Sequence, residues 1–384
     1  MSLLRRGANA LPTRRLSTPS TVAVSMRFHA SETSSATVQM QPSTNRLVEG
    51  ILNGNRTALS RSITLVESSL KSDEQQAELL LDAVLAHRRE ASAKETEFRG
   101  LPTFRVGIAG PPGAGKSTFI ENLGQYLTAR NHKVAVLAID PSSSRSGGSL
   151  LGDKTRMTHL SNDPNAFVRP SPSRGTLGGV AQHTNDIVLL CEAAGYDIIL
   201  VESVGLGQSE IVIDDTVDMV MLLVPPAGGD ELQGSKKGIM EIADIIVVNK
   251  ADGELESAAK HAAVDYLHSL QLMRRKDPDW EPKVKLCSAI EKKGIDKIWD
   301  VIEQYRTSMN ELNKVAKKRN TQSSKWMWNQ LSEQLMKSVA KNSSVKEKAE
   351  KMNEDLVRGF ISPRSAAAHI LDLFLTSQIH RDDK

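Results

Sequence analysis

The chain has 384 residues, of which 39% are hydrophobic and 25% are charged, and its formal net charge is +3. This length allows one α/β domain of roughly 200 residues with flanking segments. No apolar run approaches the ~20 residues that a membrane-spanning helix needs, and the small net charge does not indicate a nucleic-acid-binding surface. We therefore expect neither a membrane nor a nucleic acid as a partner.

The N-terminal segment differs in composition from the rest of the chain. Residues 1–31 contain no acidic residue, several arginines and many Ser, Thr and Ala residues. An Arg-rich, Ser-rich and acid-free segment without a central apolar run is typical of a mitochondrial transit peptide. The alternative is a disordered basic tail. We interpret the Ser/Thr-rich residues 32–45 as a linker.

Residues 46–97 are predicted to form a helical N-terminal extension, because their apolar residues recur three or four positions apart. One such stripe is followed by a second, shorter one. The positions are Leu59, Ile63, Val66 and Leu70, then Leu80, Val84 and His87.

Residues 98–310 alternate short apolar runs with helical patterns. Near-continuous apolar strands separated by helices are typical of a mostly parallel sheet covered by helices on both faces. We therefore predict the α/β class for this domain. The predicted strands are 104–109, 133–139, 197–202, 217–224, 244–249 and 282–287. Two isolated cysteines, Cys191 and Cys287, are interpreted as small buried residues typical of a reducing compartment.

The chain after Ile295 is predicted to be helical to its end, and we assign residues 311–384 to a C-terminal helical region. Lys- and Glu-rich stretches such as 345–351 alternate with apolar positions at helical spacing. The apolar stripes comprise Trp328, Leu331, Leu335 and Val339, then Leu356 and Phe360.

A phosphate-binding loop follows the first predicted strand, where Gly110 to Ser117 match the pattern GxxxxGK[ST]. The glycines let the backbone N–H groups point at the β-phosphate, and the following helix contributes the positive end of its dipole. Lys116 is expected to reach the β- and γ-phosphates and the Ser117 hydroxyl to coordinate Mg²⁺. The fold is therefore predicted to be a P-loop NTPase. The predicted phosphate-binding residues are Gly110, Pro111, Pro112, Gly113, Ala114, Gly115, Lys116, Ser117 and Thr118.

The base is predicted to be guanine, because Asn249-Lys250-Ala251-Asp252 ends a strand on the same edge of the sheet. A carboxylate at Asp252 can accept hydrogen bonds from the ring N–H and the exocyclic amino group of guanine, and ATP would leave it buried and unpaired. A backbone N–H after the next strand can reach the guanine carbonyl oxygen. The predicted base-binding residues are Asn249, Lys250, Asp252, Ser288, Ala289 and Ile290.

Acidic residues at the ends of neighbouring strands are candidates for the Mg²⁺ site. Glu202-Ser-Val-Gly205 occupies the place of the DxxG segment, with Glu for Asp, and Gly205 is expected to sense the γ-phosphate. Asp140 and Asp153 are further candidates, with helix capping or turn formation as the alternative. We predict Ser117, Asp140, Asp153 and Glu202 as metal ligands, and Lys116, Asp153 and Glu202 as catalytic residues.

Hydrolysis is predicted to be slow, because Leu206 stands where a Ras-type GTPase carries its water-positioning Gln. Lys154 and Arg156 are candidates to neutralise transition-state charge, although solvation on the surface is the favoured interpretation. The Gly-rich loop Pro225–Gly238 follows a strand that points at the nucleotide. It is predicted either to report the nucleotide state to a bound protein or to be an ordinary surface loop.

The motifs GPPGAGKSTFIE, GDKTRM, RPSPSRGTLGG, VESVGLGQSE, GDELQGSKKG and VNKAD, in this order, resemble the MeaB/ArgK family of SIMIBI-class GTPases. The resemblance runs from about residue 47 to the C-terminus, and the transit-like segment is similar to that of its mitochondrial branch. Ser203 is a mild departure, since relatives commonly carry Thr there.

The resemblance implies a homodimeric GTPase that binds GTP and GDP with Mg²⁺ and acts as a chaperone of adenosylcobalamin-dependent methylmalonyl-CoA mutase in the mitochondrial matrix. It implies cobalamin adenosyltransferase as a further partner, and residues 311–384 as the dimerisation region. By position, Asp140, Asp153 and Glu202 match the family's acids around Mg²⁺, and Pro225–Lys237 matches a switch loop that couples to the mutase.

Three alternatives are less consistent with the sequence. A metallochaperone GTPase would carry Cys/His clusters, which are absent here. An ATP-using kinase of a basic amino-acid transport system conflicts with Asp252. A targeting GTPase of the signal-recognition type would need a Met-rich, strongly basic RNA-binding domain, which the C-terminal helices do not supply.

Overall fold

The computed structural model describes residues 39–94, 103–140, 157–172, 177–203, 213–226 and 237–382. The predicted transit peptide, residues 1–31, lies outside these ranges. Within them, no helix combines the length and apolar character needed to cross a membrane.

Three helices form the N-terminal extension: α1 (Pro42–Leu52), α2 (Arg56–Val66) and α3 (Lys71–Lys94). The helix α1 starts inside the segment that we interpreted as a linker, because Pro42 stands in the first turn, where its missing N–H costs nothing. Asn55 caps α2 by accepting hydrogen bonds from the N–H groups of Thr57 and Ala58.

The two predicted apolar stripes are buried, except at their ends. Leu59, Ile63, Val66, Leu80 and Val84 are all buried. At the ends, Leu70 lies beyond α2, which has already ended at Val66, and is 64% exposed, whereas His87 lies on α3 as expected but with its side chain exposed.

In the described part of the chain, seven parallel strands form one sheet in the order β3-β2-β4-β1-β5-β6-β7. The predicted parallel sheet is therefore confirmed, with the ends of the six predicted strands lying within two residues of those observed. The strands are β1 (Phe104–Ala109), β2 (Val134–Asp140), β3 (Ala166–Pro172), β4 (Ile198–Glu202), β5 (Met219–Val224), β6 (Ile245–Val248) and β7 (Lys283–Leu286).

The strand β3 was missed by the sequence analysis. Its segment contains Pro170 and Pro172. Proline has no N–H to donate to a neighbouring strand, so it is not expected in a central strand, which is paired on both sides. These prolines are tolerated because β3 lies at the edge of the sheet and pairs only with β2.

Both faces of the sheet are covered by apolar side chains, which explains the near-continuous apolar strands. Along β5, Met219, Met221 and Leu223 face one core, and Val220 and Leu222 face the other. The N-terminal helices and α6 (Leu177–Ala193) pack into the second core, while α4 (Lys116–Thr128) and α9 (Ile295–Glu311) pack into the first. The remaining helices of this domain are α5 (Thr158–Asn162), α7 (Lys237–Ile242), α8 (Glu256–Leu272) and the 3-10 turn Gly253–Leu255.

Both cysteines are buried and free, as predicted. Burial raises the pKa of the Cys287 thiol to about 12 and raises that of Cys191 as well. The thiol form of each is therefore strongly favoured near neutral pH.

The C-terminal region consists of α10 (Lys314–Lys341), α11 (Ser343–Val357) and α12 (Pro363–Asp382). The predicted stripe of α10 is on the surface: Trp328, Leu331 and Leu335 are 59%, 51% and 43% exposed. Phe360, just after α11, is also exposed. An apolar surface of this kind is typical of an interface with another protein.

Candidate guanine-nucleotide site

The phosphate-binding loop connects β1, in the middle of the sheet, to α4, which begins at Lys116. Two of its glycines leave no room for a side chain. A Cβ on Gly110 would lie 2.0 Å from the carbonyl oxygen of Leu223, and one on Gly115 would lie 2.7 Å from Nδ2 of Asn249. Gly115 also has a φ of +86°, which favours glycine. The sequence pattern thus follows from close backbone packing at this edge.

Lys116 lies within the loop, with 9% of its surface exposed. Its Nζ donates hydrogen bonds to the carbonyl oxygens of Gly110 at 2.8 Å and Pro111 at 3.3 Å. Burial lowers the pKa of Lys116, and the carboxylate of Glu202 opposes this shift. The ammonium group is therefore held at the loop that the sequence predicts to surround phosphates.

Ser117 and Glu202 are brought together at the carboxyl ends of neighbouring strands. The Ser117 hydroxyl donates to Oε1 of Glu202 at 3.2 Å, and Glu202 ends β4 beside Ile108 of β1. Asp140 ends β2, which pairs with β4, so its backbone lies at the same edge. The side chain of Asp140 and the whole of Asp153 lie outside the described part of the chain.

Asn249 joins the phosphate loop to the predicted guanine loop. It follows β6 and is buried. Its Nδ2 donates to the carbonyl oxygen of Ala114 at 2.9 Å, and its Oδ1 accepts from the N–H of Ala289 at 3.0 Å. The phosphate-binding and base-binding residues therefore form one continuous site.

Asp252 accepts a hydrogen bond from the hydroxyl of Ser288, which follows β7. The N–H of Ala251 donates to the carbonyl oxygen of Cys287 at 3.0 Å, so the two segments after β6 and β7 are held side by side. Lys250 adopts a φ of +61° at the bend, and the side chain of Ile290 is 74% exposed at the mouth of the site. The structure thus brings the predicted base-binding residues together.

Two residues of α4 that the sequence analysis did not single out contact the neighbouring loops. Glu121 accepts hydrogen bonds from the N–H groups of His159 and Leu160 at the start of α5. Asn122 donates to the carbonyl oxygen of Ala289 at 2.7 Å. Glu121 ends the motif GPPGAGKSTFIE and Asn122 follows it, but their partners are distant in sequence, so no local pattern predicts these contacts.

Beyond Ser203 the next described residue is Ile213. The residues that follow it are held by one face of α10. Lys318 donates to the Asp214 carboxylate at 2.8 Å, and Gln322 donates to the carbonyl oxygens of Asp214 and Val217. Further contacts are made by Arg319 to Asp218, Lys325 to Asp215 and Trp326 to the carbonyl oxygen of Asp215. The C-terminal region is therefore anchored to residues 214–218, which lie directly before β5.

Several predicted elements fall outside the described residues. They are Gly205, Leu206, Lys154, Arg156 and residues 227–236 of the loop Pro225–Gly238.

A family model described as methylmalonyl-CoA mutase-associated GTPase MeaB matches residues 59–344. The Mus musculus protein named methylmalonic aciduria type A homolog, mitochondrial, is 48% identical over 331 residues, which are 86% of this chain and 79% of that protein. GTPase ArgK of Escherichia coli is 42% identical over 295 residues, which are 77% of this chain and 86% of that protein.

Among solved structures, the crystal structure of a LAO/AO transport system kinase superposes with a TM-score of 0.67 at 32% sequence identity. It covers 88% of this chain and 100% of the other. The P-loop fold and the resemblance derived from the motifs are both confirmed. The chain belongs to the family of methylmalonyl-CoA mutase-associated GTPases, MeaB, and is a P-loop GTPase that binds guanine nucleotides.

Proposed function

We propose that the chain hydrolyses GTP to GDP and phosphate at this site, with the following roles for its residues. The loop Gly110–Thr118 holds the phosphates, with Lys116 on the β- and γ-phosphates. Asn249, Lys250, Asp252 and the segment Ser288–Ile290 hold the guanine base.

Mg²⁺ fits the oxygen ligands at the phosphate edge. The Ser117 hydroxyl and the Glu202 carboxylate lie within hydrogen-bond distance of each other, and such oxygen ligands are those that Mg²⁺ prefers. Asp140 and Asp153 complete the proposed set of ligands. When bound, the ion neutralises charge that develops on the transferred phosphoryl group, while Lys116 supplies a second positive charge from the loop.

The observation that carries this proposal is the pairing of Asp252 with Ser288 next to Asn249. The hydroxyl of Ser288 orients the carboxylate that accepts from guanine. Adenine offers that carboxylate no donor, so an ATP-using kinase is the weaker reading.

Replacing Asp252 with Asn tests the guanine site. The amide would donate where the carboxylate accepted, so GDP affinity should fall by roughly 100-fold, about 3 kcal/mol, and the affinity for the xanthine nucleotide XDP should rise. Isothermal titration of both proteins with GDP, XDP and ADP measures this. Unchanged selectivity between GDP and XDP would exclude Asp252 as the base-reading residue.

We further propose that GTP binding and hydrolysis gate the loading of adenosylcobalamin into methylmalonyl-CoA mutase and protect or reactivate that enzyme. This proposal is supported by the family's description and by the mouse relative's name. Cobalamin adenosyltransferase is the proposed donor of the cofactor. Intrinsic hydrolysis is expected to be slow because of Leu206, and to accelerate when the mutase orders the segments around the phosphates.

The proposed location is the mitochondrial matrix, with residues 1–31 as the targeting segment. The Arg-rich, acid-free composition supports this, and so do the names of the animal relatives. Residues 32–41, which precede α1, are proposed as the linker, and 98–310 as the GTPase domain. The helical extension, predicted as 46–97, then begins at Pro42, and residues 311–384 are proposed as the dimerisation region.

A further inference from the structure

The helix α4 contacts both halves of the nucleotide site. Its first turn carries Lys116 and Ser117 of the phosphate loop. One turn later, Nδ2 of Asn122 donates to the carbonyl oxygen of Ala289 at 2.7 Å and to that of Thr118 in its own helix at 3.0 Å. An Asn amide has two donor hydrogens, so both bonds are made at once. Asn122 therefore links α4 directly to the loop that follows β7.

The two polar groups of Ala289 are held by different side chains. Its N–H donates to Oδ1 of Asn249 at 3.0 Å, and its carbonyl oxygen accepts from Asn122. A peptide unit is planar and trans, so a fixed carbonyl also fixes the N–H of the next residue on the opposite side. Asn122 thereby sets the orientation of the Ala289–Ile290 peptide, including the N–H of Ile290.

We propose that Asn122 is a positioning residue for guanine selectivity: by holding the Ala289 carbonyl against α4, it orients the N–H of Ile290 toward the carbonyl oxygen of guanine. This inference rests on the proposed guanine site. In this proposal Asn122 does not contact the base. It holds the loop in its binding conformation before the base arrives, so less conformational entropy is lost on binding.

The contribution of Asn122 depends on the base. Guanine has a carbonyl oxygen at C6, which can accept from the oriented N–H of Ile290, whereas adenine has an amino group there, which gains nothing from that donor. Loss of the Asn122 bond should therefore weaken binding of GDP and leave binding of ADP nearly unchanged. Damage to α4 or to the phosphate loop would instead weaken both.

The test compares Asn122→Ala and Asn122→Asp with the unaltered protein by isothermal titration with GDP and with ADP. Asp keeps the shape of Asn but has no donor, and its carboxylate would face two carbonyl oxygens. We expect both variants to lose about fivefold or more in GDP affinity, the loss being at least as large in Asn122→Asp, with ADP affinity changed less than about twofold.

Gln125→Ala is the matched control. Gln125 lies on the same helix and accepts from Nζ of Lys292 in the same loop at 3.1 Å, while its amide donates to Glu121 and not to the Ala289 carbonyl. Its GDP affinity should stay within about twofold of the unaltered protein. A melting curve without nucleotide verifies that each variant is folded.

Equal losses for GDP and ADP, or no loss of GDP affinity in a folded Asn122→Asp variant, would overturn the inference. Asp252→Asn, measured in parallel, separates this from failure of the guanine site. If Asp252→Asn abolishes the preference for GDP over ADP while the Asn122 variants keep the GDP-to-ADP affinity ratio of the unaltered protein, Asn122 alone is misassigned. If Asp252→Asn also retains the preference, the proposed guanine site is wrong.

Discussion

Asn249 holds together the two loops that identify this site. One side chain binds the carbonyl of Ala114 in the phosphate loop and the N–H of Ala289 in the base loop. Both motifs were predictable from the sequence because each has a fixed pattern after an apolar strand. Asn122 was not, because a polar residue on an amphipathic helix is indistinguishable in sequence from a solvated position.

Asp186, on α6, provides a prediction at a single carboxylate. Burial raises its pKa from 3.8 to about 7, so the folded protein binds a proton that the unfolded chain releases near pH 4. This residue's favourable contribution is complete below pH 4 and is lost as pH rises to about 7. Asp186→Asn should therefore be more stable than the unaltered protein at pH 8, by ~2 kcal/mol, and not at pH 4.

Urea unfolding at several pH values measures this difference. Asp300→Asn supplies the control, because it makes the same chemical change at an exposed position on α9. A stability difference for Asp186→Asn that is the same at pH 4 and pH 8 would contradict the assignment.

The helix α10 shows what periodicity can and cannot predict for a whole element. Its helical character follows from the sequence, but the partners of its polar face lie about a hundred residues away in the chain. Charged residues at helical spacing are usually solvated, so the sequence gives no signal that these are buried.

The strand β3 was missed for a different reason. Its prolines argue against a central strand, and the sequence does not show that this strand lies at the edge of the sheet.

Arg319 is expected to be the most important contact of α10. Its guanidinium donates to both carboxylate oxygens of Asp218, to Glu192 and to the carbonyl of Thr103. Arg319→Met would leave buried carboxylates with fewer partners and should cost ~3–5 kcal/mol of unfolding free energy. Lys325→Met removes the exposed pair with Asp215 and should cost ~0–1 kcal/mol.

Urea titrations of the two variants compare these costs, and equal losses would contradict a larger contribution from the buried network.

The loss of unfolding free energy in Arg319→Met should also depend on pH. Burial alone would raise the pKa of Glu192, but Arg105 and Arg319 outweigh it and hold that pKa at about 2. The stabilisation that the Glu192 carboxylate gains from these arginines is present above its usual pKa of 4.5 and is lost as pH falls toward 2. The difference in unfolding free energy between Arg319→Met and the unaltered protein should therefore decrease at low pH.

The doubly covered sheet of the whole molecule was predictable from strand composition, whereas the surface of the C-terminal helices was not. Periodicity places the apolar residues of α10 on one face of the helix but does not say what covers that face, and in the structure it lies on the surface. A second copy of the chain is the occupant that we propose, since exposed aromatic and aliphatic residues of this kind are costly to leave in water.

Replacing Leu331 and Leu335 together with Glu should convert a dimer into a monomer, because each would place a charge in the apolar contact. Sedimentation velocity measures the mass. Leu272→Glu is the control, since Leu272 is 90% exposed at the end of a different helix, α8. A double variant that remains dimeric would place the interface elsewhere.

The most direct test of the whole account is the effect of methylmalonyl-CoA mutase on nucleotide hydrolysis. GTP and ATP turnover are measured with increasing mutase, and mutase capture is compared with GDP and with a non-hydrolysable GTP analogue. We predict slow GTP turnover alone, a rise with mutase for GTP only, and capture that depends on the nucleotide. Absence of capture in both nucleotide states, together with no rise in GTP turnover, would contradict the account.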